Sequence, residues 1–555
     1  MMQNNMTRRT LPRTIIIGLD GATFDLILPW SEAGYLPTLT RLMRNGAYGV
    51  LDSFPNMNSA AAWSSIVTGT NAGKHGVFDF GEQVNPNRAW HPITALDRHR
   101  DPFWRILSAA GKCVGVMNVP ISYPADAVNG FVVSGMDAPS ISSKGVCFPN
   151  NFLEQLHGAG IDYVLDVHQL NRVHQRELNH MPMVVRAMVE ARTRAFLYGM
   201  AQFQCDVGMV VFIATDRMQH YYWGPNDNLF DHSWTPLREL YQLLDECIAE
   251  ILARLGPASN VFIISDHGFG PRRKAKNEVV VILEQTGLLA RQRASTNDTV
   301  LRKGLKLARR FIPEPLRYRL ALRLPHLRRQ ALTASAYGNV NLKQSKTYMV
   351  SFNSGLRINL QHREEFGIVP PSEFEQVREQ AYQVLSNLID PITGKPAIRR
   401  VWRREELYSG PFAESAPDLT VQWAYEDLVH GLMYRGAENP ITVPAASDPN
   451  SHIVALHRPE GVLIAHGPSI RRGAKLEPKT QYNIAPTVLY LQEQPIPDDM
   501  DGHVLQEMIT EEELTQHPIE TITRHESDIV TNRMALDDAE QNAIEERLRG
   551  LGYIE

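Results

Sequence analysis

A chain of 555 residues can bury a large core, and its size suits one big α/β domain with insertions as well as two separate domains. Apolar residues at 43% and charged residues at 21% are ordinary for a globular protein. Lys+Arg 56 against Asp+Glu 61 leaves a net charge of -5, which excludes a global bias toward nucleic acid or membrane, so no nucleic-acid polymer is expected as a partner.

The first twenty residues, MMQNNMTRRTLPRTIIIGLD, are basic but hold no apolar signal-peptide core and no small-residue cleavage site. No stretch approaches the ~18 apolar residues of a membrane span. The cysteines Cys113, Cys147, Cys205 and Cys247 lie far apart with no CxxC, as reduced buried thiols do. A soluble cytoplasmic protein is the expectation.

In chain order, TIIIGLDG (14–21) is a short apolar run that ends on an acid, and it reads as a strand buried on both faces. A helical pattern follows in LPTLTRLMRNG (36–46). The segment FPNMNSAAAWSSIVTGTNAGKHG (54–76) is a loop leading into Ser59 and a helix-compatible run up to Gly69. There Ser59 is expected at the N-cap or first turn, where backbone N–H groups and the helix dipole favour an alkoxide and a phosphoryl oxygen. Another helix is expected over DPFWRILSAAG (101–111), an irregular polar insertion over 140–180, and a long helix from about 177 to 203.

Two further strand-like runs end on acids, MVVFIATD (209–216) and VFIISDHG (261–268). Alternating strands and helices argue for a doubly wound, mostly parallel α/β sheet flanked by helices. Ligands bind such sheets at the carboxyl ends of the strands, where Asp20, Asp216 and Asp266 stand. The segment 291–329 holds twelve Lys or Arg with interleaved leucines and only Asp298 and Glu314 as acids. It reads as one or two basic amphipathic helices, either a solvated face or a peripheral contact for anionic lipid or substrate. Strand-like patterns resume after about 346, and the last forty or so residues look polar, helical and peripheral. The expected organisation is a catalytic core of 14–290 and 346–510, an irregular cap insertion at 140–180, a basic helical cap at 291–345 and a polar helical tail at 511–555.

Acids and histidines together are the donor types that hold zinc or manganese. Asp216 and His220, four apart in TDRMQH, project from one helical face, and Asp266 and His267 are adjacent in a glycine-rich turn. A strand-end Asp alone is usually a turn or cap residue, but three of them, two with histidines attached, point to a cation centre.

The order Asp-Gly after the first strand, then S-x3-W-x2-IVTG-x4-KHG, D-x3-H, SDHG and H-x3-G-x5-GP resembles the alkaline phosphatase superfamily. Its type I phosphodiesterase and nucleotide pyrophosphatase branch is the nearest in pattern, over roughly 14–505. The resemblance implies two divalent cations, zinc first and manganese as the alternative. Asp216, His220 and His457 would hold one, and Asp20, Asp266 and His267 the other. It makes Ser59 the nucleophile and a phosphoserine the intermediate. His457 is favoured over His452 by its spacing before the Gly-Pro turn, and His466 is assigned a structural role. Asn71, Lys74 and His75 are candidate substrate contacts.

Sulfatase chemistry needs a C/S-x-P-x-R segment, but Ala61 and Trp63 occupy those positions after Ser59. No arginine follows Ser59 to grip a phosphate dianion, which favours a phosphodiester or nucleotide pyrophosphate bond. The expected partner is a small-molecule phosphate ester, a nucleotide or a lipid or glycan head group. A phosphotransferase acting on a lipid or glycan acceptor is the alternative, and a non-catalytic binding protein is disfavoured because every ligand position is filled.

Overall fold

The structure is a computed structural model that describes residues 12–55, 57–82, 91–167, 175–271, 276–291, 340–350, 355–424, 431–436, 440–444, 453–523 and 538–551. The basic segment expected over 291–329 and most of its cap, residues 292–339, lie outside the described residues, as does His452.

Among the described residues a ten-stranded sheet forms the centre. Its inner strands are β1 (Thr14–Leu19), β2 (Ala47–Asp52), β3 (Val114–Met117), β4 (Gly130–Val133), β5 (Val207–Phe212), β6 (Asn260–Ile264) and β7 (Glu460–His466). Their order across the sheet is β2, β7, β6, β1, β5, β3, β4. β1 pairs in parallel with β5 and β6, and β3 with β4 and β5, while β7 runs antiparallel to β2 and β6. Every residue of β1, β5 and β6 is buried, as a sheet covered on both faces requires.

The covering helices are α1 (Ser59–Thr68), α2 (Gln175–Phe203), α3 (Ala214–Tyr222), α4 (Thr235–Leu255), α5 (Ile484–Leu491) and α6 (Asp538–Leu551). Helices α2, α3 and α4 pack on one another, and α1 packs on α5. Register places the three acids together. Leu19 pairs with Phe212 and Gly18 with Ile264, so Asp20, Asp216 and Asp266 all follow the same edge of the sheet.

The described residues between 340 and 444 do not extend that sheet. Strands Thr347–Val350, Gly355–Ile358, Ile398–Arg403 and Leu419–Trp423 make a separate four-stranded antiparallel sheet. With helices Lys276–Gln285 and Phe374–Ser386 they enclose a second core around Ile282, Leu356, Leu385 and Leu419. The 140–167 part of the first insertion is less polar than its sequence suggests. Phe152 stacks on Phe131 at 4.8 Å between ring centroids, and Tyr163, Leu165 and Val167 are buried. The C-terminal helix α6 is not peripheral either: Ile544 and Leu548 are fully buried in the main core.

One packing constraint links β1 to the site. A Cβ on Gly18 would lie 2.4 Å from Trp63 Cη2 and 2.9 Å from Val211 Cγ2, so the strand carries glycine where the indole of α1 crosses it. Gly18→Ala is therefore expected to cost about 1–3 kcal/mol by overpacking. Denaturant unfolding of the metal-free chain checks this, and an unchanged midpoint would show that the indole can move aside.

Candidate active site

Each site residue comes from a turn at the carboxyl edge of the sheet or from an element packed against it. Asp20 leaves β1 directly, and Gly21 turns the chain with φ at 71°. Helix α3 begins just after β5 and carries Asp216 and His220 one turn apart, with Thr215 and Gln219 beside them. Thr215 Oγ1 donates to the Asp20 carbonyl, and Gln219 Nε2 donates to the Gly21 carbonyl at 2.8 Å. The helix bearing one pair of donors thus clamps the loop bearing another. Asp266 and His267 occupy the turn after β6, and His457 lies on the short strand Ala455–Arg458, opposite Phe269.

Ser59 is the first residue of α1, one place further in than a cap. Asn58 is the cap: its Oδ1 accepts from Ala61 N at 2.9 Å, and its Nδ2 donates to the Phe78 carbonyl at 2.8 Å. Ser59 Oγ points to the cluster, 3.4 Å from Asp20 Oδ1 and 3.5 Å from His267 Nε2.

The imidazoles are oriented by backbone carbonyls. His220 Nδ1 lies 3.0 Å from the Ala455 carbonyl, His267 Nδ1 3.0 Å from the Gly268 carbonyl and His457 Nδ1 2.7 Å from the Met57 carbonyl. A carbonyl only accepts, so each Nδ1 carries the proton and each Nε2 presents a lone pair. Those lone pairs face other acceptors. His457 Nε2 is 3.3 Å from His220 Nε2 and 3.1 Å from Asp216 Oδ1, which is itself 3.4 Å from His220 Nε2. His267 Nε2 is 3.6 Å from Asp20 Oδ1 and 3.4 Å from Asp266 Oδ2. Asp266 Oδ2 is buried without a hydrogen bond.

Converging acceptors of this kind repel unless a cation lies between them, and an orphaned buried carboxylate oxygen is costly. The residues present therefore fit two divalent ions. Asp216, His220 and His457 form one compact donor group, and Asp20, Asp216 and His267 another, each with atoms within 4.8 Å. Asp216 thus faces both groups, a sharing that motif spacing does not reveal, and His267 stacks on His457 at 3.7 Å between ring centroids.

Electrostatics follow from crowding the acids. Burial and then the Asp216 charge push Asp20 up to about 7, against the hydrogen bond from Trp63. Burial and the Asp20 charge hold Asp266 well above the usual carboxylate range. Burial opposes ionisation of Asp216 too, but His220 and His457 outweigh it and bring its carboxyl well below the ordinary value. Burial, then His457, keeps His267 neutral. Burial would depress His457, yet the Asp216 carboxylate beside it outweighs that and raises it. Asp20, Ser59 and His267 are fully buried, whereas the His220 and His457 side chains are 18% and 22% exposed, so that half of the site faces solvent.

Asn71, Lys74 and His75 fall outside this cluster of donors, and each makes hydrogen bonds within the protein. Asn71 caps the turn Ala72–His75 and, with Lys74, grips Asp501: Asn71 Nδ2 lies 2.8 Å and Lys74 Nζ 2.6 Å from its carboxylate. His75 Nδ1 accepts from Val77 N at 3.1 Å, so its Nε2 donates to Ser65 Oγ at 2.9 Å. Burial and the charges of Arg98 and Arg100 lower His75 to about 3, which keeps it neutral. His466 pairs with Val261 at the opposite end of β6 from Asp266.

Trp63, a motif position to which the sequence assigns no role, is a site residue. Its Nε1 donates to Asp20 Oδ2 at 2.9 Å, leaving Oδ1 to face Ser59 and His267. The signal was present: four residues after Ser59, Trp63 lies on the same helical face.

A model of the family described as type I phosphodiesterase / nucleotide pyrophosphatase matches residues 14–429. Among solved structures, phosphonoacetate hydrolase from Sinorhizobium meliloti 1021 in complex with phosphonoformate has a TM-score of 0.50 at 13% identity, with 86% of this chain and 95% of that one covered. Murine ectonucleotide pyrophosphatase / phosphodiesterase 5 has a TM-score of 0.46 at 13% identity, with 90% of this chain and 100% of that one covered. No curated protein matches. At such identities structural likeness speaks only for the fold, which is alkaline phosphatase-like, while the family model spans well over half of the sequence. The chain belongs to the type I phosphodiesterase / nucleotide pyrophosphatase family and is a phosphodiesterase-like hydrolase.

Proposed function

We propose that the protein cleaves phosphodiester or nucleotide pyrophosphate bonds at a two-cation centre, with Ser59 as nucleophile and a phosphoserine intermediate. The observation that carries this reading is the placement of Ser59 Oγ at the N-terminus of α1, 3.4 Å from the free oxygen of Asp20 and beside the unprotonated Nε2 of His267. One cation would be held by Asp216, His220 and His457, the other by Asp20, Asp266 and His267, with zinc favoured by the mixed imidazole and carboxylate donors and manganese as the alternative. Bound there, the ions supply charge that favours the ionised serine and neutralises phosphoryl and leaving oxygens.

The protein's own groups do the rest. Asn58 fixes the start of α1, so Ser59 Oγ is held still and its attack on phosphorus costs little entropy. The helix dipole and first-turn N–H groups favour the negative charge that gathers there. In-line attack forms the Ser59 Oγ–P bond as the bond to the leaving oxygen breaks; Ser59 gives its proton to solvent, and the leaving oxygen takes one from water, so the proton count is unchanged. Water then cleaves the Oγ–P bond, returning Ser59, so one difficult displacement becomes two.

Diester preference is supported by charge. Arg217 and Arg458, each adjacent in sequence to a ligand candidate, are directed to protein acceptors: Asp166 and Asp216 for Arg217, the His457 and Pro271 carbonyls for Arg458. A monoanionic diester asks for less positive charge than a dianionic monoester.

Bis-p-nitrophenyl phosphate should be hydrolysed faster than p-nitrophenyl phosphate, with p-nitrophenyl sulfate untouched, after loading with zinc or manganese. Ser59→Ala should lower that rate by more than about a thousandfold while two ions remain bound by elemental analysis. Substantial activity at full metal content would remove Ser59 from the role of nucleophile.

A pH dependence follows from the raised carboxyls. Asp20, pushed up to about 7, and Asp266, held well above the usual carboxylate range, bind protons that cations must displace. Metal affinity should therefore rise as pH climbs through about 7, with proton release on binding. Calorimetric titration in buffers of differing ionisation enthalpy measures this release, and a pH-independent affinity without proton release would contradict it.

A further inference from the structure

We propose that Asp166 and Arg217 are positioning residues that hold one oxygen of Asp216 and leave the other as its single cation-facing atom. The inference rests on the reading of Asp216, His220 and His457 as a cation site.

All three site carboxylates share one device, a protein donor on one oxygen with the other turned into the cluster. Trp63 Nε1 holds Asp20 Oδ2 at 2.9 Å, and Gly21 N holds Asp266 Oδ1 at 3.1 Å. For Asp216 the donor is a guanidinium: Arg217 Nη1 donates to Oδ2 at 3.2 Å, while Oδ1 faces His220 and His457. Asp216 Oδ1 lies within the donor group it forms with His220 and His457, so its orientation bears first on that ion.

Arg217 is held from behind. Its Nη2 donates to Asp166 Oδ2 at 2.9 Å, and Asp166 Oδ1 accepts from Val167 N at 2.7 Å, so both oxygens of Asp166 are committed. The Arg217, Asp166 and Asp216 side chains are 3%, 0% and 1% exposed. A planar guanidinium bridging two buried carboxylates fixes direction in a way an ammonium cannot. The strip around Asp166 is itself pinned by Arg192, which donates from Nη2 to the Leu165 carbonyl at 2.9 Å and from Nη1 to the Val211 carbonyl of β5 at 3.0 Å. The first insertion is thereby wired, through Arg217, to Asp216.

The test uses the full chain, titrated with zinc against a chelator and, separately, loaded with cobalt. The wild type is expected to take up two ions. In Arg217→Met one ion should bind about 10–100-fold more weakly, with the visible cobalt absorption of that ion altered because Asp216 is free to offer both oxygens. Asp166→Ala should weaken the same ion less, and Arg217→Lys, which keeps the charge, should recover part of the affinity. Should Arg217→Met fail to fold, the Asp166→Ala titration decides the matter. Wild-type affinities and spectra in the variants, or equal weakening of both ions, would overturn the proposal while leaving the two-cation reading intact. Fewer than two ions in the wild type would overturn both.

Discussion

Everything at the site depends on one electrostatic constraint: acidic oxygens and imidazole lone pairs converge on one another in a largely buried cluster. Asp20, Asp216 and Asp266 are fully buried, and three carboxylates this close cannot all ionise without compensating charge. The folded chain responds by raising Asp20 and Asp266 and lowering Asp216. That split identifies where positive charge is missing, and divalent cations are the chemistry that supplies it.

The parallel sheet creates the constraint and the surrounding shell preserves it. Parallel strands end side by side, so acids one, two and four residues beyond β1, β6 and β5 arrive at one edge. Backbone carbonyls from Met57, Ala455 and Gly268 then set each imidazole's proton, while Trp63, Gly21 and Arg217 each claim one carboxylate oxygen. The result is a set of donors aimed before any ion or substrate arrives, the preorganisation on which metal and transition-state binding both rely. Gly18 belongs to the same shell at one remove, because its missing side chain makes room for the indole.

Much of this was legible in the amino-acid sequence, for definite reasons. Asp20, Asp216 and Asp266 announce themselves because short β-branched runs stop on them, and Asp216 with His220 has a helical spacing that can be read without a structure. The central α/β sheet follows from the same runs. What escaped was whatever depends on contacts between distant segments. Asn71, Lys74 and His75 look like ligand groups by type, but Asp501, some 430 residues away, and Ser65 engage them. Asp166 sits in a stretch with no periodicity, so nothing local marks it as the counter-ion of Arg217. The burial of Ile544 and Leu548 was masked by the charged residues around them in α6.

The central claim is that the opposed donors are built for two cations, and anomalous diffraction from crystals soaked in zinc or manganese tests it most directly. Two anomalous peaks are expected, one among Asp216, His220 and His457 and one among Asp20, Asp266 and His267, with Ser59 Oγ beside the second. A single peak, or peaks lying away from these side chains, would contradict the account.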